Sequence, residues 1–380
     1  MENWNRTAWA EIDLSALRRN FEFVRGKVAP GTLVWPVLKC DAYGHGAVEA
    51  ARSLADAGAS AIAVATVDEG VRLRETGLEL PILLLDYMLE ESAVDAVAHN
   101  LTPTVHTAGA LLALDKAACS LGKTVSIHVR VNTLPGSMGL DPKQLGTLID
   151  VLTACRAVRA EGMFTHLTAA YRGDHALVRM QIGRLRSAAH ACKEAGVPFA
   201  HVHAASSPAI WSMPESYLDA VRPGTMLYGL PSLEAQEMNP LRGVMCLKAR
   251  ITHVEEHVDG FFVGYGGQEA ANGVKRIATV ALGYGAARFL LTQKGGEVLV
   301  GGRRAPILGT ARMASLLVDV SGAPSARVGD EVVIFGRQGD DEITVAEAAA
   351  RAGIDVVQCE SLCMLCGSVP RIYHNGEAAA

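Results

Sequence analysis

The sequence has no surplus of positive charge: 35 Lys and Arg stand against 40 Asp and Glu, a formal net charge of -5 over 380 residues. That leaves no basic field to hold nucleic acid, and no local Lys/Arg cluster supplies one. No run approaches the roughly 20 uninterrupted apolar residues of a membrane-spanning helix, so no membrane partner is expected. The opening Met1-Glu2-Asn3-Trp4-Asn5-Arg6 has neither the cationic leader nor the apolar core of a secretory signal, and a cytoplasmic setting is expected. Disulfides are disfavoured there. Of the eight cysteines, Cys40, Cys119, Cys155, Cys192 and Cys246 are scattered and read as small buried hydrophobes. Cys359, Cys363 and Cys366 have a spacing used by iron–sulfur sites, but they lie in a strand-like apolar run without a glycine-rich cluster loop. Period-2 geometry points Cys359 and Cys363 to one face and Cys366 to the other, and no metal is expected.

What is present is globular. Hydrophobic residues make up 49% and charged residues 20%, enough apolar side chain for two cores in a chain of this length. From Val34 to about Leu230, strand-like runs alternate with helix-patterned segments. The runs lie near Val34–Leu38, Ala61–Ala65, Pro81–Leu85, Thr102–His106, Val125–Val131, Gly162–His166, Phe199–Ala204 and Thr225–Gly229. Amphipathic stretches such as Ala47–Leu54, Gln144–Ala157 and Val178–Lys193 separate them, with glycine stops at Gly58, Gly77 and Gly196. Eight such alternations predict a (β/α)8 barrel over residues 10–235, with a doubly wound open sheet as the alternative. Beyond Pro231, shorter Val/Ile/Thr-rich runs between glycine turns predict a mostly antiparallel β domain over 236–380. Thr7–Ile12 is strand-like as well, and residues 1–9 are expected to pair with this second domain.

The chemistry centres on Leu38-Lys39-Cys40-Asp41-Ala42-Tyr43-Gly44-His45-Gly46. It follows the short apolar run Val34–Val37, so Lys39 stands at the end of a buried strand, where a barrel carries its catalytic groups. An unpaired lysine there is costly to desolvate, and desolvation favours the neutral, nucleophilic amine of a Schiff-base lysine. Ser206-Ser207-Pro208 after strand seven and Arg222-Pro223-Gly224-Thr225 around strand eight supply hydroxyls and free N–H groups suited to phosphate. Together these features suggest an aldehyde cofactor anchored by its phosphate, such as pyridoxal phosphate. A Schiff-base aldolase acting on a phosphorylated sugar would show the same two features.

The motif LKCDAYGHG resembles the cofactor signature of the alanine racemase family. The likeness extends through AWAEIDLSALRRN, MFTHL, VRPGTMLYGL, VGYG and RIATVALGYG, nearly the whole chain and in family order. It implies pyridoxal 5'-phosphate as cofactor, a free amino acid as substrate, and a homodimer with shared active sites. Lys39 is implied to carry the cofactor and to act as one acid/base group, and Tyr284 to reach the partner subunit's site as the other. Tyr43, Ser207, Gly224 and Thr225 match phosphate-binding positions, Arg222 the arginine at the pyridine nitrogen, and His166 the histidine beneath the ring. Tyr373 matches a residue near the phosphate.

The sequence departs from the family pattern around the substrate. A lysine after strand five, often carbamylated in the family, is here Arg130. The arginine expected to contact the substrate carboxylate is Ser137, so Arg130 is read as supplying that charge directly. The usual Gly-Tyr-x-Asp-Gly becomes Gly283-Tyr284-Gly285-Ala286-Ala287, and Met-Asp becomes Met313-Ala314, with Met313 still expected at the substrate. Loss of two acidic residues, with Arg288 and Arg312 nearby, implies a less negative entrance. The expected activity is racemisation of alanine. Serine or another polar or anionic amino acid is the alternative substrate. A pyridoxal-phosphate-dependent decarboxylase and a non-catalytic cofactor-binding protein are the other readings.

Overall fold

The computed structural model describes residues 6–230, 240–256, 261–263, 269–271, 273, 276–291 and 296–376. After β1 (Ala8–Asp13), eight strands form one parallel sheet: β2 (Leu33–Val34), β3 (Ile62–Val64), β4 (Ile82–Tyr87), β5 (Thr102–Val105), β6 (Val125–Arg130), β7 (Val158–Phe164), β8 (His201–Ser206) and β9 (Ala220–Arg222). Their order, β2-β9-β8-β7-β6-β5-β4-β3, brings the two ends together, where Val37 bridges to Ala63. The Leu38 N–H donates to the Ala63 carbonyl at 2.8 Å and the Ala63 N–H to that of Pro36 at 2.8 Å, so the barrel closes at the lysine motif itself. The open-sheet alternative is excluded.

The eighth strand is not where the residues Thr225–Gly229 suggested. Ala220–Arg222 pairs with β2 and β8, while Thr225–Tyr228 forms a 3-10 turn. Pro223 has no N–H for a ladder, and Gly224 turns the chain at φ -117, ψ -90. Arg222 therefore belongs to a strand rather than to a loop before one. The tract read as a strand around Cys359–Leu365 is likewise a 3-10 helix, Val356–Cys363, which buries Cys359 and Cys363 and leaves Cys366 exposed, while of the five scattered cysteines Cys192 is buried, Cys155 and Cys246 are half-buried, and Cys40 and Cys119 are exposed. A short apolar run does not distinguish these conformations by its period alone.

Helix Leu14–Lys27 shows how the two domains are joined. The Asp13 carboxylate caps it, accepting from the N–H groups of Ser15 (2.8 Å) and Ala16 (3.0 Å). Leu14, Leu17, Phe21 and Val24 recur at helical spacing and are buried, each contributing about 2 kcal/mol. Asn20 is buried with them and fully used: its Nδ2 donates to the carbonyls of Leu227 and Arg242, and its Oδ1 accepts from the Arg242 N–H.

The second domain is a closed antiparallel ring. β10 (Met245–Glu256) pairs with Arg276–Val280 on one side and Glu331–Gln338 on the other, and the circuit runs through Leu316–Asp319, Arg303–Leu308 and Glu297–Val300. β1 joins it, antiparallel to β10 and parallel to Arg371–His374. The Lys248 ammonium bridges Glu11 and Glu331, each at 2.9 Å. The expected boundary at 235/236 and Gly264-Tyr265-Gly266 of the VGYG motif lie outside the described residues. Among the described residues no helix is long and apolar enough to cross a membrane, and no cluster of His, Cys, Asp and Glu is arranged to hold a metal.

Candidate active site

The lysine motif leaves the barrel in an uncommon conformation. Cys40, Asp41, Ala42 and Tyr43 follow Lys39 with φ between 54 and 55, a left-handed turn without a glycine in it. Each such residue costs about 1 kcal/mol or more, so the surroundings must hold the turn. Glu69 does so by accepting the Cys40 N–H at 2.5 Å and the Ala65 N–H at 2.8 Å. Asp41 accepts the Ala47 N–H at 2.8 Å. His45, buried and stacked on Tyr228 at 4.5 Å, directs Nδ1 to the carbonyls of Ala42 (3.0 Å) and Tyr43 (2.9 Å). Two carbonyl acceptors require an N–H there, and burial lowers the His45 pKa to about 4, so the ring is neutral with its proton on Nδ1.

This turn presents Lys39, half-buried, with its ammonium 5.9 Å from the Tyr43 ring centroid. The Tyr43 hydroxyl reaches the turn after β9, where a Cβ on Gly224 would lie 2.5 Å from it. Ser207 Oγ meets the same turn, accepting from the N–H groups of Gly224 (2.9 Å) and Met226 (3.2 Å). Thr225, half-buried, begins the 3-10 turn beside them. Two hydroxyls thus converge on a cradle that a side chain at 224 would fill, with the Gly224 and Met226 N–H groups directed at Ser207 Oγ. That donor set suits a phosphate.

Arg222 is buried and multiply held. Its Nη2 donates to the carbonyls of Thr165 (2.8 Å) and Ala204 (3.1 Å), its Nη1 donates to His203 Nδ1, and its guanidinium lies 4.9 Å from the Phe164 ring centroid. Burial, then Arg130, lowers its pKa to about 9, which still leaves it charged at neutrality. Arg130 approaches the other side of this cluster, 5.9 Å from the Phe164 ring centroid. Its Nη1 contacts the Leu85 carbonyl at 3.5 Å and Asp86 at 3.8 Å, and its buried Nε–H has no partner among the described residues. His166 has a pKa lowered to about 3, by burial first and then by Arg222, Arg130 and Lys39. All three cations therefore act on one imidazole.

Two further residues belong to the site and escaped the sequence reading. Tyr171 is half-buried, its ring 5.9 Å from that of His166, and it is an electrostatic neighbour of Tyr43 and Arg222. Glu360, from the second domain, has its carboxyl pKa raised by burial and drawn back by Lys39. Tyr171 stands in the 3-10 helix Thr168–Arg172, five residues beyond His166, and Glu360 between Cys359 and Cys363. Neither carries a periodic signal.

The remaining predicted residues lie elsewhere. The hydroxyl of Tyr373 packs on Gly46, where a Cβ would be 1.9 Å away, and its charged neighbours are Asp41, Arg371 and Glu49. Ser137 is half-buried and donates to the adjacent Met138 carbonyl at 3.4 Å. Tyr284 lies in the second domain, its N–H donating to the Arg312 carbonyl and that of Gly285 to the exposed Met313. It faces a cavity of 430 Å³ lined by Gly285, Ala286, Arg288, Met364, Leu365 and Cys366. Among the described residues, none from the barrel lines this cavity.

The site therefore offers an amine, a phosphate cradle and a buried cation, which fit the aldehyde, the phosphate and the ring nitrogen of pyridoxal phosphate. Comparisons with known proteins agree. Residues 12–232 match the family model for the alanine racemase N-terminal domain and residues 244–373 that for the C-terminal domain. The chain is 39% identical to an alanine racemase of Desulfovibrio desulfuricans over 98% of this chain and 100% of that one. An alanine racemase of Carboxydothermus hydrogenoformans is 37% identical over 97% and 100%. Among solved structures, an alanine racemase of Clostridium difficile superposes with a TM-score of 0.91 at 32% identity, covering 98% of this chain and 96% of that one.

Proposed function

The chain belongs to the alanine racemase family, isomerases that depend on pyridoxal 5'-phosphate, and on that premise we propose that it racemises free alanine with Lys39 and Tyr284 as opposed proton-transfer groups. The observation that carries this reading is the placement of Lys39 5.9 Å from the ring of Tyr43, whose hydroxyl abuts the Gly224 turn that Ser207 also meets, with Arg222 buried on the strand before that turn. It is an environment for an anionic cofactor and a substrate carboxylate. When bound, the cofactor's conjugated ring withdraws electron density from the substrate Cα and weakens its Cα–H bond. Arg222 would hold the ring nitrogen with its N–H donors. Arg130, whose Nε–H has no partner among the described residues, takes the substrate carboxylate in place of the arginine absent at Ser137. Lys39 Nζ moves the Cα proton on one face and Tyr284 Oη on the other, which is what inverting a stereocentre requires.

Among the described residues of one chain neither a lysine nor a barrel residue lines the Tyr284 cavity, and Met313 and Met364 are exposed near it. The reading therefore places two chains together, with Tyr284 of one facing Lys39 of the other. A cytoplasmic setting accords with eight free thiols.

Ala286 beside Tyr284 and Ala314 beside Met313 favour a second reading, a serine or other polar or anionic amino acid as substrate. Deuterium wash-in at Cα separates the possibilities, using single enantiomers in heavy water read by mass spectrometry and chiral separation. Alanine exchanging with inversion is the expected result. Exchange of another amino acid while alanine stays inert moves the specificity, and carbon dioxide release without inversion identifies a decarboxylase. No exchange by cofactor-loaded protein leaves a binding protein.

A further inference from the structure

Behind Arg222, a line of hydrogen bonds runs through the barrel interior. Arg222 Nη1 meets His203 Nδ1, and His203 Nε2 meets His128 Nδ1 at 2.8 Å. Both rings are buried, on β8 and β6. Trp35 packs edge-on to His203 at 4.9 Å and tilted to His128 at 5.7 Å, while Phe164 stacks on His203 at 4.8 Å. The His128 ring lies across the Cα of Gly162, where a Cβ would come within 2.4 Å of its Cε1. His128 also lines a cavity of 210 Å³ with Leu33, Trp35, Ala61, Thr102 and His201, at the N-terminal mouth of the barrel.

The chemistry of the three groups leaves one arrangement of protons. An arginine can only donate, so His203 Nδ1 must present a lone pair. The neutral His203 ring then carries its proton on Nε2 and donates it to His128 Nδ1. His128 in turn carries its own proton on Nε2. Protonating either ring would set two N–H donors against each other in the interior. Burial, before any neighbour, already holds His128 at about 3 and His203 well below its ordinary value.

We propose that His128 is a positioning residue for the reaction: by accepting from His203 it fixes the His203 tautomer, and through it the placement of Arg222. Three of the five N–H groups of Arg222 are committed to His203, Thr165 and Ala204, and the other two are left for the cofactor. A His203 ring in the other tautomer would face the guanidinium with an N–H and push it from its place. The link to the cofactor rests on Arg222 facing the pyridine nitrogen; the proton arrangement does not.

The test has two arms. Nitrogen-15 NMR of histidine-labelled protein reads the tautomers directly, and assignment uses the resonances lost in His128→Asn. The expected result is an unprotonated Nδ1 and protonated Nε2 on both rings. A protonated Nδ1 on His203 overturns the relay. The second arm compares cofactor-loaded His128→Phe and His128→Asn. Asparagine keeps an acceptor where Nδ1 stood; phenylalanine keeps the ring and loses the acceptor. The phenylalanine variant should shift the bound cofactor's absorbance and lower kcat by about 10- to 100-fold with KM little changed, and asparagine should restore both. Equal behaviour of the two variants overturns the positioning role. If His128→Phe fails to fold, Gly162→Ala, which displaces the same ring, should give the phenylalanine signature, and wild-type absorbance and kcat in that variant likewise overturn it. Correct tautomers with absorbance unmoved while kcat falls would place the fault in the reading of Arg222, not in the relay.

Discussion

The carbonyl oxygen of Cys363, in the second domain, stands against the α-carbon of Gly44 at the end of the lysine turn: a Cβ there would lie 2.0 Å from it. Arg371 reinforces the contact, donating from Nε to the Gly44 carbonyl at 2.9 Å. The second domain thus presses directly on the segment that aims Lys39.

A comparison of two glycines isolates that contact. Gly44 and Gly196 share φ +82, but the space around Gly196 is open. Gly196→Ala should cost only the left-handed strain, about 1 kcal/mol, and leave turnover alone. Gly44→Ala adds a collision with backbone and should lower both the melting temperature and the activity by more. Equal losses in thermal unfolding and turnover would mean the contact does not hold the turn.

The neutral His45 gives the fold an acid-sensitive point. Its pKa in the folded chain, about 4, lies below the ordinary 6.5, so the unfolded chain binds the proton more readily. The stability this ring contributes is complete above about pH 6.5 and is lost as pH falls toward 4, up to about 3 kcal/mol. His45→Asn keeps an N–H donor near the Nδ1 position and cannot titrate. Its unfolding free energy should fall less steeply than that of the wild type between those pH values. Parallel slopes would remove His45 from the acid response.

Arg130 and Ser137 are coupled on this account. Arg130→Met should raise KM for the amino acid by about tenfold or more, since a charge-assisted bond to the carboxylate is lost. Ser137→Arg alone should also reduce activity, because a second guanidinium would share a site that Arg130 already fills. Improved alanine turnover in Ser137→Arg would show that the serine is a defect rather than an exchange of roles.

The barrel was legible because its strands and helices alternate with clear changes of period, and β1 because Thr7–Ile12 is a strand-like run. The eighth strand was displaced because Thr225-Met226-Leu227-Tyr228 is apolar enough for either conformation, and only Pro223 and Gly224 mark the turn. Lys39 was conspicuous from its place at a strand end. The left-handed turn beyond it was not: Cys40, Asp41, Ala42 and Tyr43 contain no residue that favours positive φ as glycine does, and the turn exists because Glu69, His45 and Arg371 hold it. Tyr171 and Glu360 enter the site only through tertiary packing, which a local pattern does not report.

The pairing of Lys39 with Tyr284 across two chains is tested most directly by subunit complementation. Lys39→Ala and Tyr284→Phe should each abolish racemisation alone. Mixed, unfolded and refolded together in equal amounts, they should recover about a quarter of wild-type activity, because half the dimers are mixed and each mixed dimer holds one intact site. Purified variants that stay inactive after verified mixing would contradict a shared site, and a Tyr284→Phe variant that racemises alanine normally by itself would contradict the two-group mechanism.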